Sequence, residues 1–213
     1  FISLAGTALF AVGNFIDKIL ISRYFKGGGV GALAIYSAFI GIFILPFPFI
    51  FSVDFFTPGL TAILIMIASG AIYLLGIIPY LYALTSDDTS TVVLIFQTIP
   101  IFSYVLGYFF LDENIALIQF VGMLLIILGS IFISFDMSGV KIVFKAKGVF
   151  LMLISSACIA ISGFLFKFIG TDHGFLVTSF WTYAGYTLLG IFLFVISKNY
   201  RSQFMHTFKA NSV

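Results

Sequence analysis

Six stretches of the chain carry no formally charged residue: 27–53, 55–86, 89–111, 114–135, 148–166 and 174–197, each 19 residues or longer. A bilayer core about 30 Å thick is crossed by roughly 20 apolar residues in a helix. Only 8% of the residues are charged and 62% are apolar, whereas a soluble domain carries roughly a quarter charged residues. Lipid offers no hydrogen bonds, so a spanning segment is either a helix or part of a closed barrel. Barrel strands are about ten residues long and alternate polar with apolar, and these stretches do neither. The expected fold class is all-α, a polytopic helical membrane protein.

Apolar runs and their breakers place seven spans near 2–22, 31–51, 60–83, 89–110, 115–135, 148–170 and 175–197. The breakers are Gly27-Gly28-Gly29, Thr57-Pro58-Gly59, Ser86-Asp87-Asp88-Thr89 and Asp112-Glu113-Asn114. Thr89 and Asn114 are expected N-caps of the fourth and fifth spans. Loop charge is one-sided. Arg23, Lys26, Lys141, Lys145, Lys147, Lys198, Arg201 and Lys209 follow spans 1, 5 and 7, with Asp87 and Asp88 in the third loop of that side. The opposite side has Asp54, Asp112, Glu113, Asp172 and His173, and no Lys or Arg. The positive-inside rule makes the basic side cytoplasmic and puts residue 1 outside. No basic patch extends beyond short loops, so nucleic acid is not an expected partner. Cys158, the single cysteine, lies mid-span and is expected to be inert packing.

Shifting the chain by 149 residues lays span 1 on span 6. Identities fall at Phe1/Phe150, Leu4/Leu153, Ala8/Ala157, Ala11/Ala160, Phe15/Phe164 and Lys18/Lys167. Their steps of 3, 4, 3, 4 and 3 put all six on one helical face. Five helices separate the copies, an odd number, so the copies cross the membrane in opposite directions. That is an inverted-topology repeat, a construction common in secondary transporters. A first five-helix repeat over 1–136 and a partial second repeat over 147–213 are expected, with three further spans beyond Val213 completing five plus five. The bland reading is a shared helix-packing face.

Span 1 holds Ala11, Asn14, Phe15 and Lys18 in one short run. Spans 4 and 5 hold Pro100, the Asp112-Glu113 turn, Gln119, Gly122 and Gly129. This order resembles the EamA family of the drug/metabolite transporter (DMT) superfamily, over the whole chain as five helices plus two. The resemblance implies ten helices in two inverted halves around a central cavity for small metabolites, amino acids or drugs. Many relatives are drawn with a cytoplasmic N-terminus, opposite to the loop charges here.

A lysine within a span is costly unless it snorkels or meets a wet cavity. Lys18 is therefore a candidate substrate-binding group, with Asn14 one turn back on the same face. Lys167, its repeat partner, is a further cavity candidate, although nearer its helix end, where snorkelling is favoured. Asp17, the only carboxylate within a span, points about 100° from Lys18 and is the candidate for a coupling proton. Pro100 frees the Phe96 carbonyl and Pro79 the Leu75 carbonyl, two helix breaks in which other groups must satisfy the backbone. Gln97 beside the first break, Tyr73 and Tyr183 complete the cavity candidates. Tyr80 and Trp181 are expected to anchor helix ends at the lipid headgroups, and Gly107, Gly122 and Gly129 to let helices approach closely.

The function expected is secondary, ATP-independent transport of small molecules by alternating access, without cofactor or metal. No Walker-type phosphate loop, facing carboxylate pair or intramembrane Ser/His pair occurs, so an enzyme is not expected. A seven-span receptor or a non-transporting membrane subunit is the rival reading. A retinal protein needs a lysine in mid-span 7, which is absent before Lys198. Expected partners are the lipid bilayer, a small-molecule substrate and a second copy of the chain as a homodimer. The expected location is a bacterial inner membrane.

Overall fold

The computed structural model describes residues 2–24, 29–44, 46, 50, 53–86, 89–114, 116–136 and 146–210. Lys26, Asp87, Asp88, Lys141, Lys145, Gly27 and Gly28 lie outside the described residues, as does the side chain of Lys209.

The described chain is helical, without a β-strand among the described residues. α1 spans Ile2–Ile19 and widens into a π turn at Leu20–Tyr24. α2 spans Val30–Ile40 and tightens into a 3-10 turn at Gly41–Ile44. Pro46 accounts for the tightening, because its ring opposes continuation of the preceding turn. The second span therefore does not run as one helix from 31 to 51. α3 is Leu60–Ser86, α4 Thr89–Phe96, α5 Ile99–Leu111, α6 Leu117–Asp136, α7 Ala146–His173, α8 Phe175–Ile196 and α9 Lys198–Ala210. By length and composition, Leu60–Thr85, Leu94–Leu111, Ala146–His173 and Phe175–Ile196 can cross a membrane, and Val30–Ile44 and Leu117–Gly129 are shorter apolar helices.

The fourth expected span is two helices. Gln97 and Thr98 interrupt it, and Pro100 sits in the first turn of α5, where its missing N–H costs nothing. Tight turns bridge the gap, with the Gln97 N–H on the Leu94 carbonyl and the Thr98 N–H on that of Ile95. Pro79, in contrast, lies inside α3 without ending it. Asn114 is not the N-cap of α6. Gln119 instead reaches back to accept the Ala116 N–H at 3.1 Å, half of a capping box. α7 and α8 are joined through Gly174 alone, whose φ of 77° is the left-handed region that favours glycine.

α3 is the centre of the packing, with α7 and α8 laid along it. Its Met66, Ser69, Leu74, Tyr80, Leu81, Ala83 and Leu84 are all buried. α3 and α8 cross backbone to backbone. A Cβ on Gly70 would overlap the Thr182 carbonyl, and one on Gly185 would overlap the Ile67 backbone. Where lipid removes the hydrophobic drive between helices, such contact between small residues supplies the association. The glycines expected to do this do not all do so. Gly122 and Gly129 face open space, and Gly107 faces only the Glu113 side chain.

Hydroxyls tie the remaining helices in. Ser69 Oγ donates to the Ser162 carbonyl at 2.9 Å, and Thr187 Oγ1 to the Ala38 carbonyl at 2.9 Å. α9 folds back onto α2, with Gln203 accepting the Gly31 N–H at 2.9 Å and Phe204 against Tyr36. Trp181 Nε1 donates to the Phe55 carbonyl at 2.8 Å, pinning residues 53–59 at one end of the bundle.

Gly185→Ala is expected to destabilise the protein by about 1–3 kcal/mol, the usual penalty of overpacking. Gly122→Ala should cost nothing, since no atom opposes its methyl and alanine favours helix. Thermal melting of the two purified variants checks this. Equal melting temperatures would disprove the crossing.

Candidate functional site

Three of the expected site residues, all on α1, converge on the C-terminal half of α3. Tyr80 is 2% exposed, and its hydroxyl lies 3.0 Å from Asn14 Oδ1 and 3.1 Å from Asp17 Oδ2. A phenol has one hydrogen, so Tyr80 serves the two acceptors forked or by turns. Lys18 Nζ donates to the Leu84 carbonyl at 2.7 Å, one turn further along α3. Tyr80 is thus not a headgroup anchor. Its ring packs on Phe96, 5.0 Å between centroids, and its hydroxyl is held inside the protein. The helical wheel separates Asp17 from Lys18, but a single partner helix gathers Asn14, Asp17 and Lys18.

A cavity of about 550 Å³ opens between α2, α3, α7 and α8, within the range of small-molecule sites. Tyr73 and Tyr183, both expected to line a cavity, stand on its wall with Tyr186. Ser37, Ser162, Ser179 and Thr182 add four more hydroxyls, and Ile159, Phe166 and Phe175 the apolar surface. The rings of Tyr73 and Tyr186 lie 5.8 Å apart, and the Tyr186 hydroxyl donates to Ser37 Oγ at 3.0 Å. Asn14, Lys18, Gln97 and Lys167 do not line this cavity. Ser37, Ser162, Ser179 and Thr182 were not among the expected site residues. The usable signal was hydroxyl residues spaced about a turn apart in otherwise apolar spans.

A second cavity, about 330 Å³, lies between α5, α6 and α7. Gly163 belongs to the walls of both cavities. Pro100 and Lys167 line the smaller one with Glu113. Lys167 does not simply snorkel, because its Nζ meets both Glu113 carboxylate oxygens at 2.5 and 2.7 Å. That pair ties α7 to the turn after α5, where Asp112 adopts the left-handed conformation and its N–H caps the Gly107 carbonyl. Gln97 is half-buried beside the helix break and lines neither cavity. Among the described residues, no group of three or more His, Cys, Asp or Glu could hold a metal ion.

Against known families, the profile of the EamA-like transporter family matches residues 1–135. The chain belongs to the EamA-like transporter family. No curated protein and no solved structure matches it. EamA-like proteins are membrane transporters rather than enzymes, and membership makes this an integral, multi-pass protein of the lipid bilayer that handles small molecules.

Tyr80→Phe strands the Asn14 and Asp17 oxygens without their donor, and a buried acceptor left unpaired costs about 1–3 kcal/mol. Unfolding measurements on Tyr80→Phe, Asp17→Leu and the double variant should show a double loss well below the sum. Additivity within about 0.5 kcal/mol would mean that the residues do not interact.

Proposed function

We propose that this EamA-like protein is a secondary transporter that moves small metabolites, amino acids or drugs by alternating access between two inverted repeats. The observation that carries the reading is the position of the larger cavity. Its walls come from α2 and α3 of the repeat expected over 1–136 and from α7 and α8 of that expected over 147–213. Transporters built of repeats hold substrate where the repeats meet, and access alternates as one unit rocks against the other.

In this reading Tyr73 and Tyr183 bind substrate. Asp17 carries the coupling proton, with Tyr80 as the hydroxyl that follows its charge. An ionisable group within a membrane is a functional candidate by default because its burial is expensive. Lys18, held by the Leu84 carbonyl, fixes α1 against α3. A bacterial inner membrane is the proposed location.

The test is flux in proteoliposomes of the full-length protein, using a substrate identified by a resistance screen. Tyr73→Phe with Tyr183→Phe should lower flux about fivefold or more, since two hydrogen bonds of about 0.5–1.5 kcal/mol each are removed. Asp17→Asn should retain downhill flux but lose accumulation driven by a pH gradient. Undiminished flux in the double variant would remove the cavity from the pathway, and undiminished pH-driven accumulation in Asp17→Asn would remove the proton from Asp17.

A further inference from the structure

The larger cavity is lined without a single charged side chain among the described residues. The nearest charged groups are engaged elsewhere. Asp17 accepts from Tyr80, Lys18 donates to the Leu84 carbonyl, and Lys167 pairs with Glu113. An ion entering the cavity would lose its hydration and find no counter-charge, a penalty of several kcal/mol.

Hydroxyls are plentiful, and some are unsatisfied. The Tyr73 and Tyr183 hydroxyls have no hydrogen-bond partner among the described residues. Thr182 Oγ1 is buried, also without one. The Tyr73 and Tyr183 hydroxyls, left open on the cavity wall, call for a ligand that both donates and accepts, as hydroxyl and amide groups do. Carboxylates only accept and ammonium groups only donate. Phe166 and Phe175 supply aromatic surface beside Tyr73 and Tyr186, suited to the flat apolar face of a ring.

We propose that the cavity between α2, α3, α7 and α8 binds an uncharged, ring-bearing solute decorated with hydroxyl groups, and excludes organic anions and cations of the same size. The proposal rests on the transport reading for its purpose and narrows the substrate class of that same site. Tyr73 and Tyr183 are its recognition groups, each hydroxyl able to exchange a hydrogen bond with the solute. The Tyr73–Tyr186 pair forms the wall against which the ring lies.

Calorimetric titration of the full-length protein in nanodiscs tests this with three single-ring probes: hydroquinone β-glucoside, benzoate and phenethylammonium. The glucoside should bind, and both ions should bind at least tenfold more weakly. Tyr183→Phe and Tyr73→Phe keep the ring while deleting a hydroxyl. Each should weaken glucoside binding about two- to tenfold and leave the melting temperature unchanged, because neither hydroxyl supports the fold. Benzoate or phenethylammonium binding as tightly as the glucoside would overturn the proposal. So would absence of glucoside binding, or binding indifferent to both substitutions in variants that fold normally. Glucoside that binds but does not cross proteoliposomes would support the substrate class and count against the transport reading.

Discussion

The crossing of α3 over α8 at Gly70 and Gly185 is the contact on which the other placements depend. Each glycine leaves room for the partner's backbone, at Thr182 and Ile67 respectively. Dispersion and polar contacts between helices replace the hydrophobic drive that lipid abolishes. Because the two helices touch there, α7 can lie along both, and α2 can reach α8 through Ser37 and Thr187. The larger cavity is the space this arrangement leaves beside the crossing, and Gly70 and Thr182 belong both to the crossing and to the cavity wall. Packing and the site are therefore one geometric problem. Small side chains bring the backbones together at one level, and large aromatic residues prop the helices apart at another.

Polar groups in such a bundle must find partners inside the protein, and the way each is satisfied separates structural from functional roles. Ser69, Thr187 and Trp181 donate to carbonyls of neighbouring segments and act as cross-links. The α1 cluster is different. It brings a carboxylate, a carboxamide and a phenol within hydrogen-bond distance, and the phenol cannot fully serve both acceptors at once. An arrangement with more acceptors than hydrogens is one in which adding a proton changes the bonding, which is the property a coupled transporter uses. The open hydroxyls of Tyr73 and Tyr183 lie on the wall of a separate cavity.

Much of the architecture was legible in the sequence because lipid enforces it. Long charge-free runs fold as helices, and the α3, α7 and α8 runs end within a few residues of the expected limits, apart from overruns of one turn or less. Tyr73 and Tyr183 were legible as polar-tipped aromatics in mid-span. Burial and partner choice were not legible. Tyr80 lies near a helix end, where a headgroup anchor is the default, and only the three-dimensional approach of α1 reveals its partners. Gly122 and Gly129 have the spacing of a close-packing face but nothing packs on them, while Gly70 and Gly185 do that work from positions no local pattern marks. The helix break expected at Pro100 falls at Gln97–Thr98, and the helix restarts at Ile99 with Pro100 in its first turn, where proline is most at home. The repeat-matched positions also differ in setting. Ala160 is buried, whereas Ala11 is exposed, so identity of residue did not carry identity of environment.

The most direct measurement is to obstruct the cavity chemically. Ser179→Cys in a Cys158→Ala background of the full-length protein puts one thiol on the cavity wall. Reaction with N-ethylmaleimide is expected to abolish flux in proteoliposomes, and bound substrate to slow the reaction. The same reagent at Gly122→Cys, where nothing packs, is expected to leave flux intact. Full flux after complete modification of position 179 would contradict a transport pathway through this cavity.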